Sequence, residues 1–65
     1  MNDFAGKWKQ FRGEIKRKWG KLTDDDMNQV EGSWDKFVGR LQERYGKSRE
    51  QTDKEARSFF DNLAA

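Results

Sequence analysis

Apolar residues recur along the first third of the chain at steps of three and four, with many lysine and arginine residues between them. At about 100° per residue, these steps place every apolar side chain on one narrow stripe, which is typical of an amphipathic helix. We expect Asn2 or Asp3 to cap the start of this helix, and Gly20, which tolerates a positive φ, to end it. The stripe consists of Phe4, Trp8, Phe11, Ile15, Trp19 and Leu22.

A helix-start signal follows directly after this stripe. Thr23 is a good N-cap residue, and the three aspartates after it place negative charge where a helix N-terminus favours it. The same aspartates resemble part of a calcium loop, but an EF-hand needs alternating oxygen ligands over about twelve residues and a closing glutamate. We therefore interpret them as capping residues of a second helix, to which Met27 and Val30 give a small apolar face.

The remaining apolar positions predict the other helices. A stripe that repeats the steps of the first ends at Gly46, which we expect to stop its helix. Ser48 and Gln51 have the spacing of a capping box and begin a last helix. The pattern leaves open whether Met27 to Tyr45 is one helix bent near Gly32 or two helices. The second stripe holds Val30, Trp34, Phe37, Val38, Leu41 and Tyr45, and the last apolar face holds Ala56, Phe59, Phe60 and Leu63.

A block of the chain is written twice, at residues 6–21 and again at 32–47, a shift of 26 positions. Of eight matching positions, six are identical, and the other two exchange one apolar or aromatic residue for another. A repeat of this length is typical of a supersecondary unit that is used more than once. The repeated residues are of core and turn types, so the repeat indicates architecture and no reactive chemistry.

These patterns predict one all-α domain over residues 1–65, with four short helices, or three if one is bent near Gly32. A chain of this size buries only about 60% of its unfolded surface, so its core is expected to be marginal. The predicted core consists of Phe4, Trp8, Phe11, Ile15, Trp19, Leu22, Val30, Phe37, Leu41, Tyr45, Phe59 and Leu63.

Composition argues against catalysis. The chain contains no cysteine and no histidine, so it lacks a disulfide, a thiolate metal site and the commonest metal ligand. Charged residues make up 40% of the chain, which favours disorder, but three Trp, five Phe and one Tyr at regular spacing favour a folded domain. We therefore expect no enzyme activity, no catalytic residue, no cofactor, no metal and no small-molecule substrate.

The sequence also predicts where the protein resides. No run approaches the roughly 18 apolar residues that span a bilayer, and no basic region followed by an apolar stretch marks a signal peptide. We expect a soluble, cytoplasmic protein.

Charge is distributed unevenly along the chain. Residues 1–22 carry seven basic and two acidic side chains, a balance of +5, whereas residues 23–65 carry seven and ten, a balance of −3. The basic helix could contact phosphates of a nucleic acid, or an anionic membrane surface, but a net charge of +2 favours only weak binding. Internal pairing with the acidic half is the simpler interpretation. The candidate anion contacts are Lys9, Arg12, Lys16, Arg17 and Lys21.

Three segments resemble the CsbD-like family of small bacterial proteins, some of which accumulate under general stress. They are WKQFRG at 8–13, WGKLTDDD at 19–26 and VGRLQERYG at 38–46, together with Glu31 and Gly32. The resemblance covers most of residues 6–50. It implies a compact all-α domain of two helical hairpins packed across each other, similar to a SAM domain. It also implies stress-linked expression in a bacterial cytoplasm and supplies no catalytic residue.

One position departs from that family, where Trp34 replaces a residue that is usually basic. If it faces solvent, its indole is a candidate contact for a protein partner or for self-association. Phe60 raises the same question, because the adjacent Phe59 points about 100° away on a helix. The sequence thus predicts a stress-associated binding or protective protein of unknown partner, with weak nucleic-acid binding through the basic first helix as the alternative.

Overall fold

The computed structural model describes residues 4–64, and within that range every regular element is an α-helix. The four helices are α1 (Phe4–Lys18), α2 (Asp24–Val30), α3 (Trp34–Tyr45) and α4 (Arg49–Ala64). The predicted all-α architecture of four short helices is confirmed. The expected cap at Asn2 or Asp3 lies outside the described residues, and the crossed packing of two hairpins stays a prediction.

Most helix ends follow the signals in the sequence. The Thr23 hydroxyl accepts a hydrogen bond from the Asp26 amide at 3.0 Å and the Asp26 carboxylate accepts one from the Thr23 amide at 3.1 Å, which closes a capping box. Gly46 ends α3 in the left-handed conformation at φ 68°. The helix α1 ends shortly before Gly20, as expected. The predicted reason is wrong, because the φ of Gly20 is not positive.

Residues 27–45 form two helices and not one bent helix. Val30 ends α2, Gly32 turns the chain at φ 75°, and the Ser33 hydroxyl then caps α3 by accepting a hydrogen bond from the Lys36 amide at 3.4 Å. A positive φ is inexpensive only for glycine, so the break falls where the chain has that residue. The repeated blocks therefore differ in structure, because Gly6 lies within α1.

The first helix is interrupted at Phe11, whose backbone has φ −112° and ψ 19°. This non-helical residue breaks the angular register between the two halves of α1, since each helical residue normally advances by about 100°. Trp8 and Ile15 on either side are fully buried, whereas Phe11 is half-buried and does not pack against the core cluster. The prediction that Phe11 belongs to the core is wrong for this reason.

Aromatic rings pack around Phe37, which is fully buried. Its ring centroid lies 5.1 Å from that of Trp8 and 5.3 Å from that of Trp19, both edge to face. The rings of Phe4 and Phe60 lie at 5.9 and 6.0 Å. Such arrangements align the negative ring face with a positive edge and add to the burial of apolar area. This cluster joins α1 and the turn after it to α3 and α4.

The predicted core is otherwise largely confirmed. Eight of the twelve predicted residues are buried, and Tyr45, Phe59 and Leu63 are half-buried against the cluster. On α4, Ala56 and Phe60 point to the centre, four residues apart on one face, and Phe59 lies to the side against Trp19 with ring centroids 4.9 Å apart. The additional buried apolar residues are Met27, Val38, Ala56 and Phe60.

A buried carboxylate joins α2 to α3. Asp26 is only 2% exposed, and its two oxygens accept hydrogen bonds from Nε and Nη2 of Arg44, each at 2.9 Å, and another from Arg40. These bonds offset the desolvation of a charge that has left water. The hydrogen bonds from Arg44, from the Thr23 amide and from Arg40 hold the pKa of the Asp26 carboxyl well below its usual value of 3.8.

The central position of Phe37 leads to the first prediction. Replacing Phe37 by Ala removes a fully buried ring, and we expect the free energy of unfolding to fall by about 3–5 kcal/mol. The same truncation at half-buried Phe11 is expected to cost at most about 1.5 kcal/mol. Urea unfolding followed by circular dichroism measures both variants. Equal losses at the two sites would contradict the assigned core.

The Asp26 cluster predicts a dependence of stability on pH. A carboxyl whose pKa is depressed in the folded state stabilises the fold above its unfolded pKa and loses that contribution as pH falls through the folded value. We expect stability to decline below about pH 4. Asp26→Asn should destabilise the protein at pH 7 and flatten this decline, because an amide cannot offset the charge of two guanidinium groups.

Asp25→Asn is the matched control for that experiment. Asp25 lies in the same first turn of α2 and is exposed, so the substitution removes the same charge without opening the arginine cluster. Thermal melts of both variants from pH 2 to 7 make the comparison. If the stability of Asp26→Asn declines at low pH as much as that of the unmodified protein, this carboxylate does not couple folding to pH.

Candidate functional site

A cleft of about 110 Å³ opens where the end of α1, the end of α3 and the start of α4 meet. We call it the Thr52 cleft. Three segments that are distant in the sequence form it, so its shape depends on the packing of the whole domain. Its lining residues are Lys18, Trp19, Leu41, Tyr45, Lys47, Thr52 and Glu55.

Local turns place these residues. Backbone hydrogen bonds from the Trp19 amide to the Ile15 carbonyl (2.9 Å) and from the Leu22 amide to the Trp19 carbonyl (3.0 Å) hold Trp19 just beyond α1. At the other side, the left-handed Gly46 ends α3 and turns the chain towards α4, which places Lys47 at the cleft. The turn after α1 and the turn at Gly46 thus position Trp19 and Lys47 at the cleft.

Two aromatic side chains form walls of the cleft. Trp19 is held by edge-to-face contacts with Phe37 at 5.3 Å and Phe59 at 4.9 Å between ring centroids. The Tyr45 hydroxyl accepts a hydrogen bond from the Lys21 amide at 3.1 Å, and the Lys21 ammonium lies 5.0 Å from the centre of the Tyr45 ring. These contacts fix both side chains, but Trp19 is only 4% exposed, so half-buried Tyr45 is the more accessible aromatic residue of the lining.

Thr52 lines this cleft, and its unpartnered hydroxyl oxygen is buried. The residue is 4% exposed, and its Oγ1 has no hydrogen-bond partner among the described residues. Its amide donates to the Ser48 carbonyl at 3.0 Å in the first turn of α4, so its backbone is satisfied. Buried polar atoms are normally paired, and an unpaired one incurs the desolvation penalty of about 1–3 kcal/mol. The indole nitrogen of Trp8 is also buried and unpartnered, but it lines no part of the cleft.

The charge around the cleft is positive. Lys47 donates a hydrogen bond to the Glu55 carboxylate at 2.8 Å, and this ion pair neutralises the acidic residue of the lining. Lys18 lies 6.0 Å from the centre of the Trp19 ring and has no carboxylate partner among residues 4–64. With Lys21 behind Tyr45, three ammonium groups face one carboxylate, so the local field favours a negatively charged ligand.

A second depression of about 380 Å³ adjoins the Thr52 cleft and shares Lys18 and Glu55 with it. Its remaining lining residues are Lys54, Ser58, Phe59 and Asn62 along α4. It is larger, but we locate the candidate site in the Thr52 cleft, because three segments distant in the sequence form that cleft and Tyr45 in its lining is fixed by Lys21.

The structure does not gather the predicted anion contacts into an unpaired basic face. Lys16 forms an ion pair with Asp24, and this hydrogen bond lowers the pKa of the Asp24 carboxyl. Arg12 donates to the Asn28 side chain at 2.9 Å, and Arg17 lies 3.5 Å from Glu14. Of the other two candidates, Lys21 lies over Tyr45, as described above, and Lys9 is exposed. The nucleic-acid alternative gains no support from this arrangement.

The two candidate protein contacts are not free surface rings. Phe60 is fully buried, so it is unavailable to a partner in this fold. Trp34 is half-buried against the core, and its indole N–H donates to Asp53 at 2.8 Å while the Arg57 guanidinium lies 5.8 Å from its ring centre. Hydrogen bonds from Trp34 and then from Arg57 lower the pKa of the Asp53 carboxyl.

The membrane alternative meets a similar obstacle. Trp8 and Trp19 are buried, so the first helix and the turn after it present neither indole to a lipid surface. Among residues 4–64, no helix combines the length and apolar character that crossing a bilayer requires. In the same range, no group of three or more acidic side chains is placed to hold a metal ion.

Sequence reasoning missed the Thr52 cleft. Lys18, Lys47 and Thr52 carry no motif, and only the capping signal at Ser48 indicated that Thr52 would lie in the first turn of a helix. That signal gives the residue a helical position and says nothing of which neighbours cover it. The unpartnered hydroxyl becomes visible only once the other helices are in place.

Comparison of the sequence with known proteins identifies one family and several similar bacterial proteins. A family model described as CsbD-like matches residues 2–54. A UPF0337 protein of Rhodopseudomonas palustris is 50% identical over 62 residues, which cover 95% of this chain and 94% of that protein. One from Pseudomonas aeruginosa is 53% identical over 58 residues, or 89% of each chain. UPF0337 protein YjbJ of Escherichia coli K12 is 54% identical over 54 residues, 83% of this chain and 78% of its own. No solved structure matches the chain significantly.

The unpartnered hydroxyl predicts an unusual effect on stability. Thr52→Val keeps the shape of the side chain and removes the buried oxygen, so we expect the free energy of unfolding to rise by about 1 kcal/mol. Thr23→Val is the matched control and should cost about 1 kcal/mol, because that hydroxyl caps α2. Urea titrations measure both changes. A loss of stability in Thr52→Val would indicate that the hydroxyl is paired in solution.

Proposed function

Because this chain belongs to the CsbD-like family, we propose that it is a stress-associated protein that acts by binding and not by catalysis. The Thr52 cleft is the proposed site, and the four helices are proposed to act as one unit around it. The resemblance to stress-linked family members supports the physiological role. The names of the relatives state no activity, so the mode of action rests on the geometry of the cleft.

The observation that carries this proposal is a cleft between three segments that is lined by Lys18, Lys47 and the fixed side chain of Tyr45. The Thr52 Oγ1 atom has almost no exposed surface, so a ligand that enters the cleft as it stands does not contact it. A side chain that is already fixed, such as Tyr45, loses little further freedom when a ligand packs against it. These are properties of a site that holds a molecule.

The chemistry of the lining favours binding over turnover. General acid–base catalysis needs a titratable group within reach of the reacting proton and with a pKa suited to the operating pH. The carboxylate of the lining, Glu55, is held by Lys47 at 2.8 Å, and the sequence provides no histidine or cysteine. A threonine hydroxyl without an adjacent base is a poor nucleophile.

A ligand panel tests this function. Uniformly ¹⁵N-labelled protein is titrated with small organic acids, amines, neutral aromatic molecules and short oligonucleotides. We expect at least one small-molecule class to shift the Trp19 indole and Thr52 amide signals. Mass spectrometry should recover that ligand unchanged after long incubation.

Three outcomes of this titration would contradict or change the proposal. Conversion of any panel member by the protein would overturn the non-catalytic role. The absence of binding by every small-molecule class would remove the Thr52 cleft as the functional site. Oligonucleotide-induced shifts centred on Lys9 and Arg12 at about 50 mM salt, lost at about 200 mM, would restore the nucleic-acid alternative.

A further inference from the structure

We propose that α2 is an acid-sensitive strap, which opens as one unit when Asp24 and Asp26 take up protons while α1, α3 and α4 stay packed on each other. The strap consists of residues 23–31, from the N-cap Thr23 to the C-cap Glu31. It adds to the proposed binding function and does not depend on it, because no residue of α2 lines either depression described above.

The aromatic centre of the fold joins the other three helices without the strap. The rings that pack on Phe37 belong to α1, to the turn after it, to α3 and to α4. The sequence of α2, DDDMNQV, contains no aromatic residue. Its part of the core is the side chains of Met27 and Val30. The strap can therefore leave while the contacts between the rings remain, and such local opening of a weakly held segment is common in proteins.

Polar side chains tie the strap to α1 on one side. Lys16 forms an ion pair with Asp24, and Arg12 donates to the Asn28 side chain at 2.9 Å. The side chains of Lys16 and Asp24 are 45% and 76% exposed, so solvent screens their attraction. The hydrogen bond from Lys16, and next the charge of Arg12, lower the pKa of the Asp24 carboxyl.

Buried contacts tie the strap to α3 on the other side. Arg44 donates to both oxygens of Asp26 at 2.9 Å, and Arg40 donates to Asp26 and, at 2.7 Å, to Gln29. Glu43 of α3 lies 3.5 Å from Arg40. None of the ion pairs that α4 forms among residues 4–64 involves the strap. The charges that close the strap are therefore two carboxylates facing the basic side chains of α1 and α3.

Acid removes these negative charges. The pKa values of both carboxyls are lower in the closed strap than in a solvated chain, so opening takes up protons. The closed form has its full advantage above about pH 4 and loses it as the pH falls towards the lower pKa values. A helix of seven residues is too short to persist alone in water, so the released strap also loses its helical structure.

Opening brings apolar surface into contact with water. Met27 and Val30 are 0% and 1% exposed in the closed strap, and the core side chains that they cover become accessible when they leave. In acid the protein thus presents an apolar surface that it does not present at neutral pH.

Native-state hydrogen exchange of the full chain tests the strap. The Met27 amide, which donates to the Thr23 carbonyl at 3.0 Å, reports on α2, and the Leu41 amide reports on the middle of α3. After correction for intrinsic exchange rates, we expect the equilibrium constant for opening at Met27 to exceed that at Leu41. It should rise about 30-fold between pH 4 and pH 2 from Asp26 alone. Equal constants at the two amides would show that the domain opens only as a whole, which overturns the proposal.

The carboxylate facing α3 is tested by substitution. Asp26→Asn should raise the opening constant at Met27 by about 10- to 100-fold at pH 7 and remove most of its rise in acid. Asp25→Asn is the matched control, because that carboxylate is exposed on the same helix. Persistence of the full rise in Asp26→Asn would contradict the role of this carboxylate.

The tie to α1 is tested by a second pair of variants, which removes no buried group. Lys16→Gln should raise the opening constant at Met27 about two- to fivefold at pH 7. Arg17→Gln is the matched control, since this neighbouring residue has the same charge and its ion pair with Glu14, at 3.5 Å, lies within α1. If both variants open the strap equally, the specific pair with Asp24 does not close it.

The uncharged dye Nile red tests the exposed surface. Its fluorescence in the presence of the protein should rise between pH 4 and pH 2 while the Leu41 amide stays protected. An open Met27 amide without a rise in dye fluorescence would show that no apolar surface is uncovered, and that part of the proposal would fall. The ligand panel at neutral pH tests the binding function separately, so failure of the strap leaves that function standing.

Discussion

The packing of aromatic rings on Phe37 is the interaction on which the rest of this structure depends. A chain of 65 residues without a disulfide has few apolar side chains to bury, so several of its largest rings share one centre. Phe37 provides that centre from α3, and Trp8 of α1, Trp19 after it and Phe60 of α4 meet it edge to face. The helices are short, and their stability comes mainly from this tertiary contact.

Helix α2 is held to the domain by both apolar and ionic contacts. It contributes Met27 and Val30 to the core, and Asp26 adds a carboxylate bound by two arginines of α3. The same aspartate closes the capping box at the start of α2, so one side chain both begins the helix and attaches it to its neighbour. A buried ion pair is expensive to desolvate, but here each carboxylate oxygen has at least two donors, which explains why the charge is tolerated.

Sequence reasoning could predict what is local. Helical periodicity gave the amphipathic faces, and the capping and stop signals at Thr23 and Gly46 lie where the helices begin and end. The interruption at Phe11 could not be predicted from the sequence, because the spacing of apolar residues on both sides of it is that of a regular helix. The Thr52 cleft could not be predicted either, since it depends on how three distant segments meet.

The sequence left open whether Phe60 is buried or exposed. Phe59 and Phe60 are adjacent apolar residues of one helix, and only the packing of α4 determines which of them points to the core.

Trp19 belongs to two parts of the molecule at once. Its ring packs against Phe37 and Phe59, and the residue also lines the Thr52 cleft. The cleft and the hydrophobic interior therefore cannot change independently at this position. A substitution of Trp19 that changes the cleft therefore also alters the contacts with Phe37 and Phe59, whereas Lys18 and Lys47 line the cleft without joining the core cluster.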